Sequence, residues 1–80
     1  MNANSLDEVR AYVATLADAT LLDVIEDTEP VAPTDEGTRI VYAVACAAMS
    51  ARLGAPAADV AASPLGPAEY LRLVHSLRSR

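Results

Sequence analysis

"IVYAVACAAM", residues 40–49, runs for ten positions without a charge, a proline or a glycine, in a chain of 80 residues whose formal net charge is −5. Its apolar residues recur at spacings of three and four, which is a helical period. At about 100° per residue, Ile40, Val41, Val44, Ala48 and Ala51 fall on one side of that helix. Tyr42, Cys46, Met49 and Leu53 fall nearly opposite. Arg39 and Ser50 mark one seam between the two sides, and Thr38 and Arg52 mark the other. A helix with two apolar sides is either the central helix of its own domain or is shared with a partner. Ala43, Ala47 and Ala51 also repeat at every fourth position, which lets a second helix approach near the short end of the roughly 8–10 Å interaxial range. The neighbouring helices look too short to cover both sides. The expectation is therefore a homodimer whose self-association seam is Tyr42, Cys46, Met49 and Leu53.

Punctuation on either side sets the rest of the plan. Thr34 is expected to cap the long helix, with Asp35 and Glu36 in its first turn and Gly54 just past its end. Upstream, Ser5 and Glu8 have the spacing of a capping box. It would open a helix over about 6–17 with Leu6, Val9, Val13 and Leu16 on one stripe. Asp18 is a candidate N-cap for a second helix over about 19–28, with Leu21, Leu22, Val24 and Ile25 inward. Pro30 and Pro33 then break the chain, because neither has the N–H a helix interior needs. Downstream, Pro56 and Pro64 fence one or two turns around 57–62. Pro67 occupies a first helical position and opens a last helix over about 67–78, with Tyr70, Leu71, Leu73, Val74 and Leu77 on one side. No period-two alternation occurs. The fold class expected is all-α: one domain over residues 1–80, a small bundle of four main helices plus one short one, with a central hydrophobic third helix.

Composition agrees with that plan. The hydrophobic fraction is 52%, but seventeen of those residues are Ala, there is no Phe or Trp, and Tyr12, Tyr42 and Tyr70 are the only aromatics. Such a core is Leu, Val and Ile against Ala, which suits closely spaced helices better than a sheet. A chain of this size buries only roughly 60–65% of its unfolded surface. Cys46 is the only cysteine, so no intrachain disulfide supplements the core. The first residues, MNANSLDEVR, lack the basic start and apolar run of a secretion signal, and no stretch approaches the roughly 20 apolar residues of a membrane span. The expected location is the cytoplasm.

Charge is divided unevenly. Residues 1–36 hold nine acids against Arg10, a balance of −8, while residues 37–80 hold Asp59 and Glu69 against five Arg, a balance of +3. The split favours either the two halves folding onto each other or two copies meeting head to tail. Asp23, Glu26, Asp27 and Glu29 gather on the wet face of the second helix and just beyond it, an acidic face expected to dock a basic protein partner.

Little in the chain speaks for catalysis. His75 is the lone histidine and is expected in solvent, with no visible partner for general-base work. Cys46, mid-helix among apolar residues, should behave as a small hydrophobe with an unlowered pKa. The acids between Asp23 and Glu36 straddle a helix end and a Pro-rich link, the wrong spacing for a calcium loop. Gly37, Gly54 and Gly66 are isolated, so no phosphate-cradling loop exists. No metal, cofactor or catalytic residue is expected, and the chain is read as non-enzymatic. Met49–Gly66, MSARLGAPAADVAASPLG, imitates a helix-turn-helix. Its would-be recognition segment, Ala57–Ala62, offers Asp59 and no side chain to pair with a base or a phosphate. In size and charge the chain resembles acyl and peptidyl carrier proteins. It lacks their Asp-Ser-Leu start to the second helix, and its nearest matches, Asn4-Ser5-Leu6 and Ser63-Pro64-Leu65, stand in the wrong places.

The function expected from these residues is a small protein–protein interaction module, self-associating, of the kind found among accessory proteins of phages and mobile elements, binding a host protein through its acidic face. A structural subunit of a larger assembly, such as a virion connector, is the alternative. A helix-turn-helix DNA-binding regulator comes third.

Overall fold

The period-three-and-four spacing along the chain is realised as five helices: α1 (Ala3–Ala14), α2 (Asp18–Thr28), α3 (Glu36–Leu53), α4 (Ala57–Ala62) and α5 (Pro67–Arg78). The computed structural model describes the backbone of residues 3–79 and the side chains of residues 6–79, and no strand occurs among the described residues. The fold is all-α. α3 touches each of the other four helices, and α2 and α4 also pack on α5. The radius of gyration is 12.3 Å, close to the roughly 12 Å of a compact chain of this length.

Local chemistry explains most helix ends, with four differences from the sequence expectation. α1 is already helical at Ala3, so Ser5 lies inside the helix and cannot be its N-cap; the Ser5 side chain falls outside the described residues. α1 also stops at Ala14 instead of running to 17. The Thr15 hydroxyl donates back to the Tyr12 carbonyl at 2.6 Å, and Arg52 from α3 donates to the Val13 carbonyl at 3.1 Å. Asp18 does not cap α2 either. The N-cap is Ala17, with no side-chain bond, because the Asp18 carboxylate accepts from Arg52 at 3.0 Å. Finally, α3 is capped by Asp35 and not by Thr34. The Asp35 carboxylate accepts from the Thr38 amide at 2.8 Å and the Thr38 hydroxyl at 2.6 Å. The Thr34 hydroxyl is already spent on the Val31 carbonyl at 3.0 Å.

At its other end α3 closes as the sequence suggests. Gly54 adopts φ +65°, and the amides of Gly54 and Ala55 bond to the carbonyls of Ala51 and Ser50 at 3.2 and 2.9 Å. This is a Schellman closure, which wants a residue without Cβ at the left-handed position. α4 is a true helix, six residues long, fastened by Val60. α5 starts with Pro67 in its first turn.

The core is drawn from every helix. Val13, Leu21, Leu22, Ile25, Met49 and Leu71 are essentially inaccessible, with Ala45, Leu53, Val60 and Ala68 packed among them. Burial of α3 overturns the expected self-association seam. Met49 is 0% exposed and Leu53 5%, and Tyr42 and Cys46 are half-buried against the same core. The Tyr42–Cys46–Met49–Leu53 face points into its own chain, so it cannot be the seam of a dimer. The reason is size. Apolar burial stabilises by about 25 cal/mol per Å², so the orientation that hides Met, Leu and Tyr gains more than one that hides alanines. The face left open is the opposite one. On α5 the expected stripe is also rotated: Leu71 is buried, while Leu73 and Leu77 stay 48% and 56% exposed.

Candidate functional site

The open side of α3 forms one wall of an apolar groove. Ala43 and Ala47 are exposed along it, and Ile40, Val44 and Ala48 are half-buried. α1 supplies the second wall through Leu6, Val13 and Ala14, with Arg10 and Arg52 at the edges. The space between the walls is about 700 Å³. It remains open because α1 packs chiefly on α3 and no other helix covers the seam. Alanine walls present only methyl groups, so the groove is wide and smooth and offers few hydrogen-bonding groups.

Arg52 fixes the geometry of this site. Its guanidinium donates to the carbonyls of Leu16 at 2.7 Å and Val13 at 3.1 Å, and to Asp18 Oδ1 at 3.0 Å. The last carbonyls of a helix lack intrahelical donors, and a cation there also meets the negative end of the helix dipole. Arg52 thus binds the C-terminal ends of α1 and α3 to each other and to the start of α2, while its stem edges the groove. Arg39 does a similar service before α3, donating to the carbonyls of Ala32 at 3.2 Å and Pro33 at 3.1 Å.

The acidic face expected to dock a basic partner is largely consumed inside the molecule. Arg72 of α5 lies between two of its members, pairing with Glu26 and with Asp23 at 3.1 Å. Glu29 turns inward. Its Oε2 accepts from the Tyr42 hydroxyl at 2.8 Å and from the Ala68 amide at 3.0 Å. The second bond supplies the N-terminal cap that α5 lacks, since its N-cap residue Gly66 has no side chain to offer. Gly66 leaves room for that approach: a Cβ there would stand 3.1 Å from Glu29 Oε1, close enough that the carboxylate would have to shift by a few tenths of an ångström. Of these four acids only Asp27 remains without a hydrogen-bond or ion-pair partner among the described residues. The cause is tertiary: Asp23 and Glu26 share the side of α2 on which α5 lies. A second depression of about 480 Å³, bordered by Glu26, Glu29, Arg72 and Leu73, coincides with this paired cluster.

The candidates for chemistry settle into structural places. His75 is not free in solvent: its side chain is 28% exposed and its Nε2 lies 3.7 Å from Asp18 Oδ2. Asp18 is shared with Arg52, so the three groups gather where α1 ends and α2 begins. Burial pushes the Cys46 thiol up to about 11, further raised by the Glu29 charge and only partly offset by a hydrogen bond with Tyr42. Burial first, then the bond to Glu29, hold the Tyr42 phenol protonated. At neutral pH Cys46 is a thiol, as its apolar setting in the sequence suggests. The hydroxyl and the backbone amide of Thr38 hold the Asp35 carboxyl below its ordinary value. Among the described residues no His, Cys, Asp and Glu cluster could hold a metal ion. α4 presents alanines and Asp59 and nothing cationic. Among the described residues no helix is long and apolar enough to cross a membrane.

Compared with protein-family models, with curated proteins and with solved structures, the chain matches none of them.

The groove was half visible in the sequence, as the Ile40/Val44/Ala51 side of α3. Residue volume is the signal that could have assigned it outward. No local signal marks Arg52 or Glu29 as distant helix caps, because each reaches a helix more than thirty positions away.

Proposed function

We propose that this protein is a small non-enzymatic binding module, working in the cytoplasm, that takes a helical segment of a protein into the groove between α1 and α3. One observation carries the reading: an apolar wall of Ile40, Ala43, Val44 and Ala47 stays open on α3 while Met49 and Leu53 of the same helix are sheltered in the core. An apolar groove between two helices is the receiving half of helix-in-groove recognition, where an amphipathic helix lays its apolar face between the walls. Smooth alanine walls favour a backbone that comes close. The acidic residues of α2 support this reading less than the groove does, since three of the four already have partners within the chain.

The test is photo-crosslinking. A photoreactive amino acid at position 47, expressed in the cells of origin, should yield protein adducts that the same group at exposed Asp59 does not. Adducts equal at both positions, or none at either, would end the docking-groove reading.

A further inference from the structure

We infer that the occupant of the α1–α3 groove is a second copy of this chain, with α3 packed antiparallel on α3 across a two-fold axis. The inference rests on the groove being the docking surface and adds the identity of what fills it.

Charge and register on α3 argue for self-pairing. Glu36, Ile40, Ala43, Ala47 and Ala51 share one face at about 100° per residue. Glu36 is exposed at its N-terminal end and has no ion pair among the described residues. The C-terminal end is cationic. Arg52 is already engaged there with Asp18 and the end of α1, and the free cation among the described residues is Arg78, whose guanidinium lies 4.0 Å from where a Cβ on Gly54 would stand. Arg78 is exposed and likewise makes no ion pair among the described residues. The face is therefore acidic at one end, apolar in the middle and basic at the other. Only an antiparallel copy matches both ends at once.

The register follows from the same positions. An axis crossing α3 midway between Glu36 and Gly54 sets each Glu36 against the partner's Gly54 end and its Arg78. The same axis places Ala43 opposite the partner's Ala47, and Ala47 opposite the partner's Ala43. Small residues therefore meet at the centre, where the helices must come closest. The two helix dipoles oppose, which also favours the arrangement. Such an interface is isologous, and each residue pair in it is made twice.

Sedimentation equilibrium over a wide concentration range, with helix content followed in parallel, tests this. The native chain should dimerise. Ala47→Glu should be monomeric with unchanged helix content, because exposed Ala47 takes no part in the chain's own core. Glu36→Arg should weaken the dimer by about tenfold, through two symmetric surface pairs turned repulsive. Adding Arg78→Glu to that variant should restore the affinity. A native chain that stays monomeric at high micromolar concentration overturns the second-copy inference; if position 47 still crosslinks another protein in cells, the docking reading stands without it. A dimer that survives Ala47→Glu also overturns the second-copy inference, because the copies then meet at another face. A dimer lost on Ala47→Glu but indifferent to the charge exchange overturns the antiparallel register.

Discussion

The two long sides of this molecule use their surface groups in opposite ways. Along α2 and α5 the charges meet one another: Arg72 lies between Asp23 and Glu26, and Glu29 closes the start of α5. Along α1 and α3 the apolar residues do not: Ala43 and Ala47 stand open beside a groove of about 700 Å³. A charged cluster thus indicates a docking face only when its charges are unspent, and here they are mostly spent. An apolar face indicates one only when its own chain has declined to cover it. By that measure the uncharged side is the more informative.

The contrast within α3 is the sharpest and the easiest to break. Met49→Ala should destabilise by about 2–5 kcal/mol in chemical denaturation, the cost of a methionine-sized cavity in a closed core. Arg52→Ala should cost about 1.5–3 kcal/mol, since it strips carbonyls at the end of α1 and Asp18 of a charged donor at once. Glu29→Ala should follow at about 1–2 kcal/mol by freeing the first turn of α5, and Glu29→Gln should cost less because an acceptor remains.

A pH titration probes the same inner face without changing its shape. The thiol of Cys46 has a native pKa raised to about 11 from an ordinary 9.0. The unfolded chain therefore loses that proton first, and the stability it contributes is full below pH 9 and lost as pH climbs towards 11. Cys46→Ala should flatten the fall in stability measured across that window, and Tyr42→Phe should flatten what continues above it. Smallest of all, Ala47→Glu and Asp27→Lys should each leave stability within about 0.5 kcal/mol of the native chain. At concentrations where the native chain is monomeric, a large loss on Ala47→Glu would mean that the chain itself covers that face.

Much of the architecture could be read in advance because periodicity and punctuation are local. Pro30 and Pro33, Gly54, Pro56 and Pro67 bound the helices where the sequence says they should. The caps slipped by a residue where two candidates stood side by side: Thr34 and Asp35 both offer an oxygen, and the choice rests on which one the preceding turn has already used. The orientation of α3 escaped for a different reason. Its pattern is apolar on both sides, so periodicity is symmetric and only side-chain volume distinguishes in from out. The ion pairs were legible in sum but not in detail. An acidic first half and a basic second half do fold onto each other, through Asp18 with Arg52 and Asp23 and Glu26 with Arg72. Which acids are thereby removed from the surface depends on how α5 lies across α2, and no local pattern states that.

Arg52 clamps α1 at one end only. Among the described side chains of α1 only Val13 is fully buried, and it sits at that same end, so the helix is expected to lift as a flap hinged near residue 14. Amide exchange around Leu6 and Val9 should then proceed by local lifting, hours ahead of the α2 amides near Leu21 and Ile25, which open only when the whole domain melts. An occupant seated in the groove would hold the flap down, so slowed exchange on α1 would report occupancy without any label.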